Sequence, residues 1–466
     1  MARSLTRRLF LVGSALVGGA LVIGGSLAWR RLDGAGRYRP ATAAGETALT
    51  PWFKLTPENR LVVLVPRQDM GQGIVSMLAQ IVAEELDFDW ARVTAEQAGI
   101  HPVYANTVVL ADGSPPALRS MMENVAKLIG VQMTGGSTSV RDAWGAMRHA
   151  AAAARVVLLE AAATRWQLPA GELGIELGVV RHAASGRSAP LAEFASDAAV
   201  RALPASPAPK APAAWRLLGT SPPRLDVAEK TLGSARYGID ARPEGLLYAA
   251  VRHIPLVRGE LQAVRWPGGK PPPVVLHEVR GSHWLAVIAR SWREAERALD
   301  QAELVARGET ATTVSTARLA VQYRAVLDGE DDPRKLPDLG RPIRRVFNAY
   351  GDPDRALAAA PEKARLSADY AVPFLAHAPM EPLNCTARIR DGKVDVWVGN
   401  QAPTIVQWLA AGVCDVPTEA VNVHTPWLGG GFGRRFDLEV IRQALACAKV
   451  AGGRPVQLIW SRPNRD

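Results

Sequence analysis

The stretch LGGGFGRR, from Leu428 to Arg435, places four glycines around one phenylalanine and follows them with two arginines. It lies between the apolar run AVNVH, which predicts a strand, and DLEVIRQALACAKV, which has the spacing of a helix. A plain turn needs fewer glycines. Because glycine has no Cβ atom, such a loop lets the backbone approach a bound group closely, and the free N–H groups at the helix start favour an anion.

Two further glycine-containing turns open predicted helices, at MGQGIVSMLAQ and GGSTSVRDAW. One such turn is weak evidence, since helix ends use glycine routinely, but three of them indicate one large anionic cofactor held between domains. None ends in the Gly-Lys-Ser/Thr of a P-loop, and none fits G-x-G-x-x-G after a strand with an acidic residue about 20 positions on. An ordinary nucleotide-binding fold is therefore disfavoured.

The composition predicts a globular protein and argues against several other classes. The 466 residues predict about three domains, and 48% hydrophobic with 21% charged residues is typical of a globular chain. The net charge of +10 comes from scattered basic residues, part of them near the N-terminus, which predicts no nucleic-acid partner. Cys385, Cys414 and Cys447 lie far apart without histidines at metal-ligand spacing, so we expect core thiols and no zinc site, iron–sulfur site or disulfide framework.

The N-terminus has the features of an export signal. Arg7 and Arg8 precede an uncharged, apolar run from Leu9 to Trp29, which Arg30 and the next arginine close. This resembles a twin-arginine signal, used by proteins exported already folded. About 20 apolar residues can also span a bilayer, and no clear A-x-A cleavage site precedes Trp29. Residues 1–35 therefore predict a periplasmic protein whose signal, if uncleaved, anchors it to the inner membrane.

The rest of the chain reads as α+β. RLVVLVPRQ predicts a strand, GIVSMLAQIVAEEL an amphipathic helix, and the run after TGGSTS a long helix capped by Ser137 or Ser139. ALPASPAPKAPAA, residues 202–214, has the composition of a linker. A small α+β module follows over residues 215–310, then a charged linker, then residues 340–466 with predicted strands KVDVWVGNQ, AVNVHTPWL and RPVQLIWSR.

Four motifs carry a family resemblance: DMGQGIVSMLAQIVAEELDFDW, TGGSTSVRDAWGAMRHAAAAAR, PFLAHAPMEPLNCTA and LGGGFGRR. Together they resemble the molybdopterin-binding large subunit of the xanthine dehydrogenase and aldehyde oxidase family, in particular the exported branch typified by the isoquinoline 1-oxidoreductase beta subunit. The resemblance runs from about Trp52 onward. It implies a permuted molybdopterin-binding segment over residues 50–201, a small α/β hammerhead domain over 215–310 and the first part of the main molybdopterin-binding domain over 340–466.

The resemblance also implies the cofactor and its contacts. Molybdenum would be held by the dithiolene of molybdopterin, in its cytosine dinucleotide form, so the metal takes no protein ligand. Gln401 matches the family glutamine beside an oxo ligand of molybdenum, and Arg141 offers a bidentate phosphate contact. For Arg434 and Arg435 two roles remain open: either arginine binds the cofactor phosphate, or it is a solvated residue on the side of the helix. The implied cofactor contacts are Gly71, Gln72, Gly73, Gly136, Ser137, Thr138, Ser139, Arg141, Gln401, Gly430, Gly431, Phe432, Gly433 and Arg434.

The implied substrate pocket contains Phe432, His377 and Glu381. Taken alone, His377 and Glu381 have the residue types of an acid–base pair, but such a pair in a proline-bounded loop is more often a hydrogen-bonded structural element. Cys385 reads as a buried thiol. We therefore assign no catalytic residue within this chain.

The implied activity is oxidation of an aldehyde or an N-heterocycle with water as the oxygen source. Electrons would leave through a separate small subunit with two two-iron two-sulfur clusters, and then a cytochrome c. The general-base glutamate of the family lies in a region beyond RPVQLIWSR, so we expect the chain alone to be inactive. It would be a truncated product, one half of a split subunit completed by a second chain, or a non-catalytic assembly partner. We expect the sheet partners and an apolar face of the last predicted strand to be left uncovered.

Overall fold

The structure is a computed structural model that describes residues 38–112, 114–310, 315–341 and 350–461. The predicted signal or anchor over residues 1–35 lies outside these ranges. Within them, every helix is too short or too polar to serve as a membrane span.

A four-stranded sheet begins the described chain. Its strands, in sheet order, are β1 (Thr47–Thr50), β2 (Phe53–Leu55), β3 (Leu61–Val65) and β4 (Val93–Gln97). The first three are antiparallel, and β4 runs parallel to β3 because helix α1 (Ile74–Glu85) forms the crossover between them. Every residue of β3 is buried, as its unbroken apolar run predicts. The predicted strand and helix over residues 60–86 are confirmed.

Alanine-rich helix α4 (Ser139–Trp166) packs on α1, and both contribute to one core. The predicted serine cap is wrong. Thr138 occupies the N-cap position, and its hydroxyl donates to the carbonyl of Gly135 at 2.7 Å instead of capping the helix. The remaining elements of this part are α2 (Val108–Ala111), α3 (Pro116–Ile129), the antiparallel strands β5 (Leu173–Glu176), β6 (Val179–His182) and β7 (Arg187–Pro190), and α5 (Ala192–Ala199).

The predicted linker over residues 202–214 is packed against the first core. The ammonium of Lys210 lies 2.6 Å from Oε1 of Glu84, and Glu84 Oε2 accepts the N–H groups of Arg216, Leu217 and Leu218. Burial alone would raise the pKa of Glu84, but these hydrogen bonds outweigh it and lower the pKa. The buried carboxylate of α1 therefore fixes where the chain enters its next module.

A seven-stranded mixed sheet forms the second core. Its strands, in sheet order, are β10 (His277–Arg280), β11 (Trp284–Ala289), β8 (Leu247–His253), β16 (Val456–Ile459), β13 (Asn384–Arg390), β14 (Lys393–Trp397) and β15 (Val421–His424). A separate antiparallel pair joins β9 (Leu256–Arg265) to β12 (Glu303–Thr310). The remaining helices are α6 (Val227–Thr231), α7 (Trp292–Leu299), α8 (Thr316–Leu327), α9 (Pro353–Ala359), α10 (Pro403–Cys414) and α11 (Glu439–Val450).

The large sheet combines strands from both sides of the predicted division between residues 310 and 340. The expectation that the last predicted strand leaves its sheet partners and an apolar face uncovered is wrong, because β16 pairs with β8 on one side and β13 on the other. Val456 and Leu458 are fully buried. Exposed apolar side chains lie instead in the extended segment before β13, at Leu366, Tyr370 and Val372.

Candidate functional site

The structure brings the three predicted glycine turns together. A Cβ atom on Gly431 would lie 2.5 Å from the sulfur of Met70, so the first turn contacts the third. A Cβ atom on Gly135 would lie 2.9 Å from Cζ of Phe436, so the second turn also contacts the third. A side chain at Gly135 would meet the ring of Phe436, and one at Gly431 would displace the flexible end of Met70. The glycines are therefore needed for close approach between segments that are distant in sequence.

Thr134 connects these turns to the end of β14. Its N–H donates to the carbonyl of Gln401 at 2.7 Å, and Nε2 of Gln401 donates back to the carbonyl of Thr134 at 3.0 Å. Its hydroxyl oxygen accepts the N–H of Gln68 at 2.8 Å. Gln401, predicted as a cofactor contact, is thus buried where the first and second turns meet.

Three buried glutamines around this point have unpartnered side-chain atoms. Within the described residues, no hydrogen-bond partner is present for Nε2 of Gln68, either amide atom of Gln132 or Oε1 of Gln401. All three residues are at most 3% exposed. Leaving a buried polar atom unpaired costs about 1–3 kcal/mol, so this arrangement fits a polar ligand.

Gln68, Gln132 and Thr134 were not predicted from the sequence. A usable signal was present, because each glutamine is a polar residue that follows an apolar run and stands just ahead of a glycine turn, in VLVPRQ and LIGVQ.

The second turn presents free backbone donors. Gly136 and Ser137 both have positive φ angles, 61° and 55°, and consecutive residues in this region turn successive N–H groups toward one side. In the described part of the chain, the N–H groups of Gly136, Ser137 and Ser139 have no acceptor. These donors stand at the N-terminus of α4, where the helix dipole favours an anion.

Glu381 holds the third turn in place. Its Oε2 accepts the N–H of Gly429 at 2.8 Å and lies 2.9 Å from Nη2 of Arg435, while Oε1 accepts from the N–H of Ile239 and the amide of Asn384. Both oxygens are therefore occupied by donors of the protein. This environment supports the structural alternative for Glu381 over acid–base work.

A cavity of about 870 Å³ opens beside these turns. The three predicted pocket residues, Phe432, His377 and Glu381, all line it, together with Met70 and Lys230. Phe432 is 71% exposed and has a φ angle of 49°, which a non-glycine residue rarely adopts. The ring is thus held outward over the cavity by the backbone of the turn.

The two arginines predicted to serve phosphate form other ion pairs. Arg141 makes two hydrogen bonds of 3.1 Å to the carboxylate of Asp112 on the surface. Arg434 lies 3.0 Å from Oδ2 of Asp437, and its guanidinium stands 5.7 Å from the ring centroid of Trp460. Arg434 therefore follows the helix-side alternative. A phosphate at Arg141 would replace an exposed pair, which contributes little to stability.

The described residues hold no cluster of three or more His, Cys, Asp or Glu side chains that could bind a metal ion. Cys385 and Cys447 are buried, and burial raises the pKa of both thiols. Cys414 is half-buried.

Family models and similar proteins point to the same protein family. Two models of a molybdopterin cofactor-binding domain match the chain, over residues 34–230 and 340–465. The beta subunit of isoquinoline 1-oxidoreductase from Brevundimonas diminuta is 29% identical over 91% of this chain and 56% of its own length. The membrane-bound aldehyde dehydrogenase of Gluconacetobacter polyoxogenes, whose name specifies pyrroloquinoline quinone, is 27% identical over 99% of this chain and 56% of its own.

A nicotinate dehydrogenase subunit of Pseudomonas putida is 28% identical over 90% of this chain and 32% of its own length. The chain thus spans 56% or less of the length of these three relatives.

Proposed function

Since this chain belongs to the molybdopterin-binding proteins of the xanthine dehydrogenase and aldehyde oxidase family, we propose that it is the cofactor-binding subunit of an exported molybdenum hydroxylase. Its substrate is an aldehyde or an N-heterocycle, with water as the oxygen source. The observation that carries the proposal is the meeting of three glycine turns around the unpartnered amides of Gln68, Gln132 and Gln401. The names of the relatives support the substrate classes.

The residues present fit molybdopterin. A pterin ring offers donors and acceptors along its edge, which match the unpartnered donor of Gln68, the acceptor of Gln401 and both groups of Gln132. The free N–H groups of Gly136 and Ser137 suit its phosphate. When bound, the molybdenum centre supplies the two-electron redox chemistry of the hydroxylation.

In this proposal, the residues of this chain bind the cofactor and position the substrate. Glu381 and Arg435 keep the third turn in its conformation, and the bare backbone of Gly431 leaves space next to Gln401. The exposed ring of Phe432 offers an aromatic wall to a planar substrate in the cavity. None of the described residues is assigned as the base for the water.

We also propose the finer assignments. Arg7, Arg8 and the apolar run after them support export by the twin-arginine route, with the run as an anchor if uncleaved. The word "subunit" in the names of two relatives supports separate electron-carrying partners, for which we propose a small subunit with two two-iron two-sulfur clusters and then a cytochrome c. The cofactor would be the cytosine dinucleotide form of molybdopterin.

The test is purification of the full chain after co-expression with its genomic neighbours, among which we expect the iron–sulfur subunit. We expect stoichiometric molybdenum and an extractable pterin dinucleotide, with isotopically labelled water incorporated into the oxidised aldehyde or N-heterocycle. A Gly431→Val variant, whose side chain would meet Met70 and Gln401, should fold but lose the metal. The proposal would be refuted if the purified protein contained a quinone and no pterin. It would also be refuted if the wild-type protein and the Gly431→Val variant contained equal amounts of molybdenum.

A complex that contains molybdenum but oxidises neither substrate class would favour the alternative. In that case the chain is a catalytically incomplete subunit or an assembly partner that binds the cofactor without turnover.

A further inference from the structure

Four charged side chains form a compact cluster behind the first glycine turn. The carboxylates of Asp69 and Asp226 are buried, with 0% and 1% of their side chains exposed. The ammonium of Lys230 lies 3.2 Å from Oδ1 of Asp69 and 2.5 Å from Oδ2 of Asp226. Arg224 binds both oxygens of Asp226, at 2.9 and 2.6 Å. Two anions and two cations make the cluster neutral.

The cluster binds both backbone polar groups of Gly71 in the first turn, its N–H and its carbonyl. The N–H of Gly71 donates to Oδ1 of Asp69 at 2.8 Å, and the carbonyl of Gly71 accepts from Nη1 of Arg224 at 2.9 Å. Oδ2 of Asp69 also accepts from the N–H of Val75 in the first turn of α1, at 3.4 Å. The orientation of the peptide groups at Gly71 is therefore set by side chains of the cluster.

Lys230 extends this arrangement to the third turn. Its ammonium stands 4.2 Å from the ring centroid of Trp427, the residue directly before Leu428. The N–H of Trp427 in turn donates to the carbonyl of Arg236 at 3.0 Å. Lys230 also lines the cavity next to Met70 and Phe432. One ammonium thus contacts the residues that precede two of the three turns.

We propose that Lys230 is a positioning residue that holds the first glycine turn, residues 70–73, against the third, residues 428–433, at the separation the cofactor requires. The inference rests on the proposed function, because that function gives the two turns a common ligand. Arg224 cannot replace Lys230, since its nearest nitrogen is 3.8 Å from Asp69. Without Lys230, the buried carboxylate of Asp69 keeps its two N–H donors but loses its closest cation, and its charge repels an anionic cofactor.

The carboxylate of Asp226 remains charged under ordinary conditions. Burial alone would raise the pKa of Asp226, but hydrogen bonds from Arg224 and Lys230 outweigh it and lower the pKa to about 2. The pairing with Lys230 therefore persists at neutral pH, where cofactor binding is measured.

The experiment compares Lys230→Met with Lys230→Arg and with a matched control, Lys335→Met, in the full chain. Lys335 forms an exposed ion pair with Glu330, away from the cavity. Three quantities are measured: hydrogen exchange of the peptide that contains Gly71 and Val75, molybdenum and pterin per folded chain, and the midpoint of urea unfolding. The exchange measurement requires no cofactor.

For Lys230→Met we expect exchange at Gly71 and Val75 to accelerate by about tenfold, the equivalent of about 1.4 kcal/mol in local opening. Cofactor content per folded chain should fall severalfold. Lys230→Arg should retain most of the wild-type exchange protection and cofactor content. Lys335→Met should change neither the exchange rate nor the cofactor content. If Lys230→Met fails to fold, the double variant Lys230→Met with Asp69→Asn removes both charges and takes its place.

Wild-type exchange in Lys230→Met, or a loss of cofactor that only follows the loss of folded protein, would overturn the proposal. If the wild-type complex contains no molybdopterin, the proposed function fails, while the exchange measurement still decides whether Lys230 positions the turn.

Discussion

Nη2 of Arg435 and Oε2 of Glu381 form an ion pair of 2.9 Å that is almost completely buried at the base of the third glycine turn. Arg435 also donates to the carbonyls of Gly430 and Glu381, at 3.1 and 2.8 Å. The guanidinium thus links the HAPMEP segment to the glycine turn. Its neighbour Arg434, of the same residue type, is partly exposed and pairs with Asp437.

The two arginines allow a matched comparison. We expect Arg435→Met to lower the free energy of unfolding by about 3–5 kcal/mol, because it leaves the buried charge of Glu381 unpaired. Arg434→Met should lower it by about 1 kcal/mol or less, as for other exposed pairs. Urea unfolding of both variants measures the difference, and equal losses would contradict the structural role of Arg435.

Two glycines of the same turn should differ in their tolerance of alanine. At Gly429 the new Cβ atom would lie 2.4 Å from Cβ of Glu381, which is fixed, whereas at Gly431 it would lie 2.5 Å from the flexible end of Met70. We expect Gly429→Ala to cost about 1–3 kcal/mol of stability and Gly431→Ala less, since the methionine can rotate away.

The effect of Gly431→Ala should appear in cofactor content, because the displaced methionine moves within the site. Adding Met70→Ala removes the steric conflict and should restore binding. A larger stability loss at Gly431 than at Gly429, measured by urea unfolding, would contradict the described contacts.

Gln401→Met tests the unpartnered amide. The variant loses the hydrogen bond to the carbonyl of Thr134, so we expect stability to fall by about 1–2 kcal/mol, while bound molybdenum falls far more. Gln322→Met is the control, since Gln322 is also buried and binds Asp338 away from the site. Elemental analysis beside urea unfolding separates the two effects. Equal molybdenum in both variants would exclude a cofactor contact.

His253 should make stability depend on pH. Burial and the nearby His283 and Arg434 lower the pKa of His253 to about 4, against an opposing effect of Asp437. Gln443 donates to Nε2 of His253 at 2.7 Å, and its own oxygen accepts from Trp460, so this histidine nitrogen is an acceptor and the ring is neutral.

Since the folded pKa of His253 lies below the unfolded value of about 6.5, the unfolded state binds more protons between those pH values. Stability is therefore complete above pH 6.5 and declines as the pH falls toward 4. A His253→Gln variant should lose about 3 kcal/mol less over this range. Parallel pH profiles of the two proteins in urea unfolding would refute the assignment.

Local patterns in the sequence were sufficient to predict the strand, the helix and the glycine turns that form the first part of the site. The strand before Gln68 and the helix after Gly73 follow from runs of apolar residues and their spacing, and the glycine turns are visible as letters. Contacts between distant segments were not predictable in this way. The hydrogen bond from Lys230 to Asp69 joins residues 161 positions apart, and nothing in DVAEKTLG distinguishes that lysine from a solvated one.

The choice between Arg434 and Arg435 shows a second limit. Both belong to one 3-10 turn, Arg434–Phe436, in which successive residues point about 120° apart. Which arginine faces the interior depends on the angle at which the turn leaves Gly433. That angle is set by tertiary contacts of Arg435 with Glu381 and of Phe436 with Gly135, so adjacent identical residues could not be ranked from sequence.

The central position of β16 has a consequence for how the protein is made. Its neighbours β8 and β13 both precede it in the chain, and each of them pairs with β16 and not with the other. While the ribosome is still translating the region between β13 and β16, each neighbour has one strand edge that β16 does not yet cover. We expect this sheet to form late and slowly, which makes nascent chains dependent on chaperones that shield strand edges.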